Sequence, residues 1–189
     1  MNTNRNTIAA FCTAQTNSLS KFFIFAVFTL LASFTTAQQL DSTAIENAEI
    51  MNLRNPEANV FASGQPTQEQ LQLLAKSGVK HIINLRPSSE QEDWDEGAYV
   101  KSLGMEYHNI PVAGAAGVSS ENAQQLNDLL SSLNGQPLLV HCASSNRVGA
   151  LRALSAGETN GAALESAIAT GKSWGLTSLE PAVRAKLSD

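Results

Sequence analysis

Short apolar runs alternate with helix-like stretches along most of the chain after residue 59. Four of these runs are too short for helices and are bounded by turn residues, which indicates buried strands at 60–62, 81–85, 107–112 and 137–141. Between the strands, leucines recur at helical spacing, and Thr67 with Gln70 forms a capping-box pattern before the first helix. We therefore predict an α/β fold, in which a small parallel sheet of four strands, or five, is flanked by helices.

The C-terminal segment has a different texture from the region of alternating strands. Residues 148–188 are rich in Ala and Leu, contain several glycines and have no further β-branched run. This composition favours two or three helices and no additional strand. The sheet is accordingly expected to be complete before a helical C-terminal tail begins.

The N-terminal segment differs in composition from the rest of the chain. Residues 1–37 carry two basic side chains and no acidic one, and five of the seven phenylalanines lie between positions 22 and 34. This apolar run is shorter than the roughly 20 residues that a spanning helix needs, and small residues follow it at 35–37. The pattern predicts a secretory signal peptide over residues 1–37 and an exported protein, periplasmic or secreted; an uncleaved N-terminal anchor is the alternative.

The remainder of the chain divides into two parts. A polar lead-in is predicted over 38–58, with a short helix over 43–53 that ends before Pro56. A single domain is predicted over 59–189, long enough to bury a sizeable core. No stable membrane span is expected once the signal peptide has been removed.

Composition excludes several classes of function. The chain has 189 residues, 12 Lys and Arg against 17 Asp and Glu, and a formal net charge of -5, so we predict no nucleic-acid partner. Its three histidines lack metal-ligand spacing and its glycines form no nucleotide-binding fingerprint, so no metal and no cofactor are predicted. Of the two cysteines, Cys12 lies in the leader, and Cys142 is the single thiol of the processed chain.

Cys142 follows directly on the fourth predicted strand, at the edge of the sheet where ligands bind in open α/β folds. We call residues 142–147 the cysteine loop. Small residues and then Arg147 follow Cys142 before a helix begins, so successive backbone N–H groups can point inward and hold an oxyanion. The Arg147 guanidinium can add two parallel hydrogen bonds, and the same positive field favours the thiolate of Cys142 over the thiol.

At this point the sequence becomes recognisable. The segment HCASSNR, followed by Val-Gly, resembles the active-site loop of cysteine-dependent protein tyrosine and dual-specificity phosphatases. Residues 63–87 and 106–112 resemble the phosphatase-like domain of beta-lactamase-hydrolase-like proteins. The resemblance covers the chain from about residue 60 onward and implies a dual-specificity-phosphatase fold acting on a phosphorylated small molecule or a phosphoprotein.

The resemblance also implies roles for individual residues. Cys142 would be the nucleophile, Arg147 would clamp the phosphoryl oxygens, and His141 would orient the loop, with a purely structural strand-end histidine as the alternative. The phosphate-binding residues implied by the family pattern are Ala143, Ser144, Ser145, Asn146 and Arg147.

The sequence departs from the phosphatase pattern in four places. Only four residues separate Cys142 from Arg147, where the family has five, and Val148 stands where a hydroxyl residue is common. Ser145 occupies a position where related loops prefer glycine, so its backbone is expected to be strained. The segment 111–120, where a general acid is expected, contains no carboxylate. A cluster of acids lies at the carboxyl end of the second predicted strand, and so at the same edge of the sheet: Glu90, Glu92, Asp93, Asp95 and Glu96. We interpret this cluster as a solvated face that opens a helix, with a general acid from the cluster as the alternative.

These departures leave three hypotheses open. The first is a phosphatase with Cys142 as its nucleophile. The second is a rhodanese-like sulfurtransferase or persulfide carrier, which resembles this chain in the four-residue spacing. The third is a non-catalytic module that binds oxyanions. The absence of a strand-like run after residue 150 favours the phosphatase fold, since a rhodanese domain continues with another strand.

Overall fold

A computed structural model describes residues 39–91 and 94–188 of the chain. In this part of the chain five strands form one sheet with the order β1-β2-β5-β3-β4. Four of the strands are parallel to one another: β2, β5, β3 and β4. The edge strand β1 pairs with β2 in the antiparallel direction. The strands are β1 (Arg54–Glu57), β2 (Val60–Ser63), β3 (His81–Asn84), β4 (Glu106–Asn109) and β5 (Leu138–His141).

Seven α-helices accompany the sheet within the same described residues. Three precede β4, one separates β4 from β5, and three follow β5. They are α1 (Ser42–Glu46), α2 (Gln68–Lys76), α3 (Glu96–Ser102), α4 (Ser120–Ser132), α5 (Asn146–Leu154), α6 (Leu164–Ser173) and α7 (Glu180–Ser188). A 3-10 turn (Ser88–Glu90) follows β3, and a π-turn (Ser155–Thr159) extends α5. The predicted fold class is confirmed, with five strands and a helical C-terminal tail.

The predicted parallel strands correspond to β2–β5, and the edge strand β1 was not predicted. β1 lies within the predicted lead-in and contains Pro56, which a strand tolerates at the edge of a sheet because no neighbour needs its missing N–H. The predicted helix over 43–53 is wrong in length, since α1 ends at Glu46. Glu49 and Asn52 both have φ of 52°, which a helix cannot contain, so the chain turns there instead.

Helix α2 begins where the sequence predicts. Thr67 Oγ1 accepts from the Gln70 N–H at 3.2 Å, and Gln70 Oε1 accepts from the Thr67 N–H at 2.9 Å. Each of these bonds satisfies a backbone donor that has no partner inside the helix. Gly78 follows the helix with φ of 94°, a left-handed conformation in which a side chain would be strained.

The sheet separates two apolar layers. Phe61, Ile82 and Leu139 face α1, α2 and α3, whereas alternate residues of the same strands face α4, α5 and α6. The second layer has very close packing between α5 and α6: a Cβ at Gly149 would lie 2.5 Å from the Gly171 carbonyl oxygen. The start of α5, which carries Arg147, is therefore fixed by backbone-to-backbone contact.

The predicted signal peptide lies outside the described residues. Among the helices that the structure does describe, none combines the length and the apolar character that crossing a membrane requires.

Candidate active site

The cysteine loop leaves the carboxyl end of β5, the central strand of the sheet. β5 is paired with β2 on one side and with β3 on the other, so Cys142 emerges between two parallel strand ends. Its side chain packs among apolar residues and its exposed fraction is 1%. Helix α5 begins at Asn146, four residues later. A strand end followed at once by a helix N-terminus is the arrangement in which α/β folds bind anions.

The carbonyl groups of the loop point outward. The Ala143 oxygen accepts from the Gln65 N–H at 3.3 Å, and the Ser144 oxygen accepts from Asn52 Nδ2 at 3.1 Å. The first N–H groups of α5 have no acceptor within their own helix. With its carbonyls bound on the outside, the loop can use these N–H groups to bind an anion on the inside.

Ser145 makes the turn from the loop into α5. Its φ is 69° and its ψ is -12°, so the predicted strain is present as a left-handed backbone on a non-glycine residue. The side chain is fully buried, and its hydroxyl donates to the Trp174 carbonyl at 2.9 Å. This contact fixes the turn against the segment that follows α6.

Arg147 is 7% exposed and is held from outside the loop. Nη1 donates to Glu90 Oε1 at 2.9 Å and to the Val112 carbonyl at 2.7 Å, while Nη2 donates to Glu90 Oε2 at 2.7 Å. Burial, the largest influence, lowers the pKa of Arg147, but the interactions with Glu90 and Cys142 together leave it raised. Arg147 therefore carries a fixed positive charge at the end of the cysteine loop.

Glu90 is a site residue that the sequence interpretation placed on a solvated face. Its side chain is 35% exposed and makes the two-pronged contact with Arg147. The hydrogen bond from Arg147 is the main reason that the pKa of Glu90 is lowered. Asp95 instead caps α3 by accepting from the Ala98 N–H, whereas Glu92 and Asp93 lie outside the described residues.

His141 lies on the opposite face of the sheet from Cys142, because successive strand residues alternate. It is fully buried, and its Nε2 lies 2.7 Å from Oε1 of Glu96, which is 2% exposed. This contact does not meet the geometry of a hydrogen bond, so it is described by its distance alone. Glu96 Oε2 also accepts from Gln65 Nε2 and Asn84 Nδ2, each at 3.0 Å.

The environment of Glu96 keeps it ionised. Burial, the largest single influence, raises the pKa of Glu96, but the interactions with His141, Gln65 and Arg86 together outweigh burial and leave the pKa lowered. A buried carboxylate in this state needs a cationic or donating partner. His141 is thus anchored at the last residue before Cys142.

The side chain of Asn146 is bound outside the cysteine loop. Its Nδ2 donates to Ser178 Oγ at 2.7 Å, and its Oδ1 accepts from the Thr177 N–H at 2.8 Å. The side chain therefore binds the segment before α7. The backbone N–H of Asn146, in the first turn of α5, is the group that can face the inside of the loop. Val148 is fully buried in the core.

The structure brings all of the predicted loop residues to one edge of the sheet and adds others that sequence reasoning missed. The added residues come from four separate segments and hold the loop from outside: Asn52, Gln65, Arg86, Glu90 and Glu96. The only sequence signal for two of them was their presence in segment 63–87, which carried part of the family resemblance.

Comparison with known proteins agrees with this fold. A beta-lactamase hydrolase-like protein of Xylella fastidiosa is 33% identical over 97 residues, which make up 49% of this chain and 22% of that protein. A candidate phosphatase of the DUF442 group from Shewanella putrefaciens has a TM-score of 0.61 at 24% identity, over 78% of this chain and 97% of that one. P. aeruginosa TpbA in complex with pTyr has a TM-score of 0.52 at 17% identity, over 81% and 96%.

The curated relative is much longer than the part that matches, since the chain covers about a fifth of its length. A family model has broader coverage. The model described as "DSP-PTPase phosphatase fused to NAD+ Kinase" matches residues 27–167, which is well over half of the chain. The matched residues include all five strands and the cysteine loop. The chain therefore belongs to the DSP-PTPase phosphatase family that this model represents.

Proposed function

We propose that the protein hydrolyses a phosphoester with Cys142 as its nucleophile. The observation that carries this proposal is the placement of Cys142 and Arg147 on one loop, between the carboxyl end of β5 and the first turn of α5. The first N–H groups of α5 add donors at the same point. A cationic group and a helix N-terminus both favour the thiolate, which is the reactive form of cysteine.

The reaction has two steps. The Cys142 thiolate attacks phosphorus, an S–P bond forms, and the P–O bond to the leaving group breaks; the leaving oxygen keeps the electron pair and takes a proton from water. Water then attacks phosphorus, the S–P bond breaks, and inorganic phosphate and the thiolate are released. Arg147 and the loop amides bind the non-bridging oxygens, where negative charge accumulates in both transition states.

Glu90 determines which part of Arg147 is free for this task. An arginine has five N–H donors in a planar fork. Glu90 and the Val112 carbonyl take both donors of Nη1 and one of Nη2. The Nε donor and the second Nη2 donor remain, and they form the edge that can bind two phosphoryl oxygens side by side.

The substrate should have a good leaving group. Glu90 pairs with Arg147 and Glu96 contacts His141, and the pKa of each carboxyl group is lowered, so we assign neither as a general acid. General acid catalysis contributes about 10² to 10⁴ in rate, and a substrate whose leaving group needs no proton retains most of its reactivity without it. Aryl phosphates meet this condition, and the pTyr complex of the structurally similar TpbA supports phosphotyrosine, free or in a protein, as the first physiological candidate.

The decisive experiment uses 4-nitrophenyl phosphate and the full chain. We expect turnover by the wild type, loss of turnover in Cys142→Ser, and a fall of at least about 100-fold in Arg147→Ala, in the range measured for single oxyanion donors. Cys12→Ser is the matched control because it changes the other cysteine of the chain, and it should retain full activity. The proposal fails if wild type and Cys142→Ser release nitrophenol at the same rate.

A sulfurtransferase is the second candidate, and the four-residue spacing between Cys142 and Arg147 favours it. Thiosulfate would transfer its outer sulfur to Cys142 and release sulfite, and cyanide would remove that sulfur as thiocyanate. The described chain after β5 continues as helices α5, α6 and α7, which favours the phosphatase. Cyanide-dependent thiocyanate formation without phosphate release would reverse the order of the two candidates.

We also propose that residues 1–37 export the protein. The basic, apolar and small-residue segments of this leader motivate the proposal. Mass spectrometry of protein recovered from an extracytoplasmic fraction should give a chain that starts at Gln38. A full-length mass from that fraction would support the uncleaved anchor, and recovery from the cytoplasm alone would refute export.

A further inference from the structure

Two carboxylates hold the two ends of the cysteine loop. At the start of the loop, Glu96 contacts His141, the residue before Cys142, at 2.7 Å. At its end, Glu90 binds both Nη atoms of Arg147. Glu96 belongs to α3 and Glu90 to the 3-10 turn after β3, so separate elements fix the nucleophile and the arginine.

Arg86 joins these two contacts. Its Nη1 donates to Gln65 Oε1 at 2.6 Å, and Gln65 Nε2 in turn donates to Glu96 Oε2 at 3.0 Å. On its other side, Arg86 Nε lies 3.6 Å from Glu90 Oε2, the same oxygen that accepts from Arg147. One guanidinium therefore links a polar chain that runs from His141 to Arg147 outside the loop.

The charge of Arg86 acts on both carboxylates. The pKa of Glu90 is lowered first by its hydrogen bond from Arg147 and further by Arg86. For Glu96, burial raises the pKa and is the largest influence, but Arg86 is among the groups that reverse it. The Arg86 side chain is 19% exposed, so this influence is only partly screened by solvent.

The main chain of Arg86 is held independently of its side chain. Its N–H donates to Asn84 Oδ1 at 2.7 Å, and its carbonyl accepts from Gln91 Nε2 and from Asn109 Nδ2. A side-chain substitution at Arg86 leaves these contacts in place. The turn after β3 should therefore survive such a change, and its effect can be attributed to the guanidinium.

We propose that Arg86 is a positioning residue that couples the two ends of the cysteine loop. It holds the nucleophile Cys142 and the anion-binding Arg147 at a fixed distance and orientation relative to each other. The proposal rests on the proposed function of Cys142 and Arg147. Lysine cannot replace Arg86 here, because a single ammonium cannot reach both Gln65 and Glu90 as a planar fork does.

Two measurements on the full chain report on the two ends without requiring turnover. Tungstate affinity, measured by calorimetry, reports on Arg147. The rate of Cys142 alkylation by iodoacetamide, measured by mass spectrometry of the Cys142 peptide, reports on the nucleophile. We expect Arg86→Met and Arg86→Lys each to weaken tungstate binding and to slow alkylation, both by about 3- to 10-fold, which is typical of coupled positions.

Gln65→Leu provides the sharper variant, because the Gln65 side chain bonds to Arg86 and Glu96, at the His141 end of the polar chain. If the polar chain transmits position, Gln65→Leu should weaken tungstate binding at the far end, and the double variant with Arg86→Met should be no worse than Arg86→Met alone. Arg184→Met is the matched control: Arg184 pairs with Glu165 and Glu180 on helices away from the loop and should change neither readout.

The outcomes separate this inference from the proposed function. An effect of Arg86→Met at one end only, multiplicative effects in the double variant, or a wild type that binds no tungstate would each overturn the coupling. If both readouts change as expected but the wild type releases no nitrophenol, the positioning role of Arg86 stands and the phosphatase proposal falls. Melting temperatures of all variants identify any loss of affinity that is caused by unfolding.

Discussion

Substitutions of Ser145 should reveal how strain and a hydrogen bond balance in the turn of the cysteine loop. Its φ of 69° places a side chain in the left-handed region, at a cost of about 1 to 2 kcal/mol relative to an ordinary backbone. Against this cost, its hydroxyl donates to the Trp174 carbonyl at 2.9 Å in a fully buried position. The two contributions can be separated, because alanine removes only the hydrogen bond and glycine removes both.

The expected order of stability follows from these magnitudes. Ser145→Ala keeps the strain and leaves a buried carbonyl without its donor, so it should lower the free energy of unfolding by about 1 to 2 kcal/mol. Ser145→Gly loses the same hydrogen bond but relieves the strain, and it should recover about 1 kcal/mol of that loss. The wild type should be the most stable of the three proteins and the alanine variant the least stable.

Ser155 is a matched control with the opposite backbone. It is also buried and donates to a side chain, Asn127 Oδ1 at 3.2 Å, but its φ is -57°, an ordinary helical value. Here glycine should be less stable than alanine by about 1 kcal/mol. Urea unfolding followed by circular dichroism measures all four variants. The reasoning is refuted if glycine is no more stable than alanine at position 145, or if both positions prefer the same residue.

Three further predictions concern stability. Gly149→Ala should lower the free energy of unfolding by about 3 kcal/mol, because the new Cβ would lie 2.1 Å from the Leu176 nitrogen. Gly114→Ala, in open space with φ of 54°, should lower it by only about 1 kcal/mol, and thermal melting compares the two variants. Burial, and then the charge of His81, lower the pKa of His108, so the folded protein should lose stability as the pH falls below 6.5. In His108→Asn the melting temperature should change less between about pH 7.5 and 5.5 than it does in the wild type. Stabilisation from the Glu96 carboxylate should be lost as the pH falls below 4.5 through its lowered folded pKa, and Glu96→Gln should make acid unfolding less steep.

The parts of the fold that could be predicted are those set by local sequence. The capping box of Thr67 and Gln70 determines where α2 begins, and the alternation of short apolar runs with helical patterns locates the four parallel strands. β1 could not be predicted in this way. Its residues are mostly exposed and have no apolar period, and it is a strand only because β2 lies beside it.

The predicted end of β4 is wrong for a different reason. The apolar run predicts a strand to Val112, whereas the ladder ends at Asn109. Ile110 and Val112 are buried in the core, and their N–H groups still bond to Asn84 and Leu85 of the neighbouring segment. The apolar pattern thus reports burial correctly beyond the point where regular strand pairing stops.

The residues of the candidate site also differ in how far the local sequence predicts them. Cys142, Arg147 and the residues between them are a contiguous motif, so the sequence alone could place them together. Glu90 could not be recognised, because its partner Arg147 lies 57 positions further along the chain. A run of acids normally marks a solvated surface, and only the fold reveals that Glu90 turns toward Arg147 and Glu96 toward His141.

The shortness of the cysteine loop explains why so many of its contacts lie outside it. With four residues between Cys142 and Arg147, the arginine falls in the first turn of α5 and the loop has few groups with which to fix itself. The chain turns sharply at Ser145, and the outward carbonyl of Ser144 is held by Asn52. Asn52 belongs to the predicted lead-in, so this segment helps to fix the cysteine loop and is more than a connection to the domain.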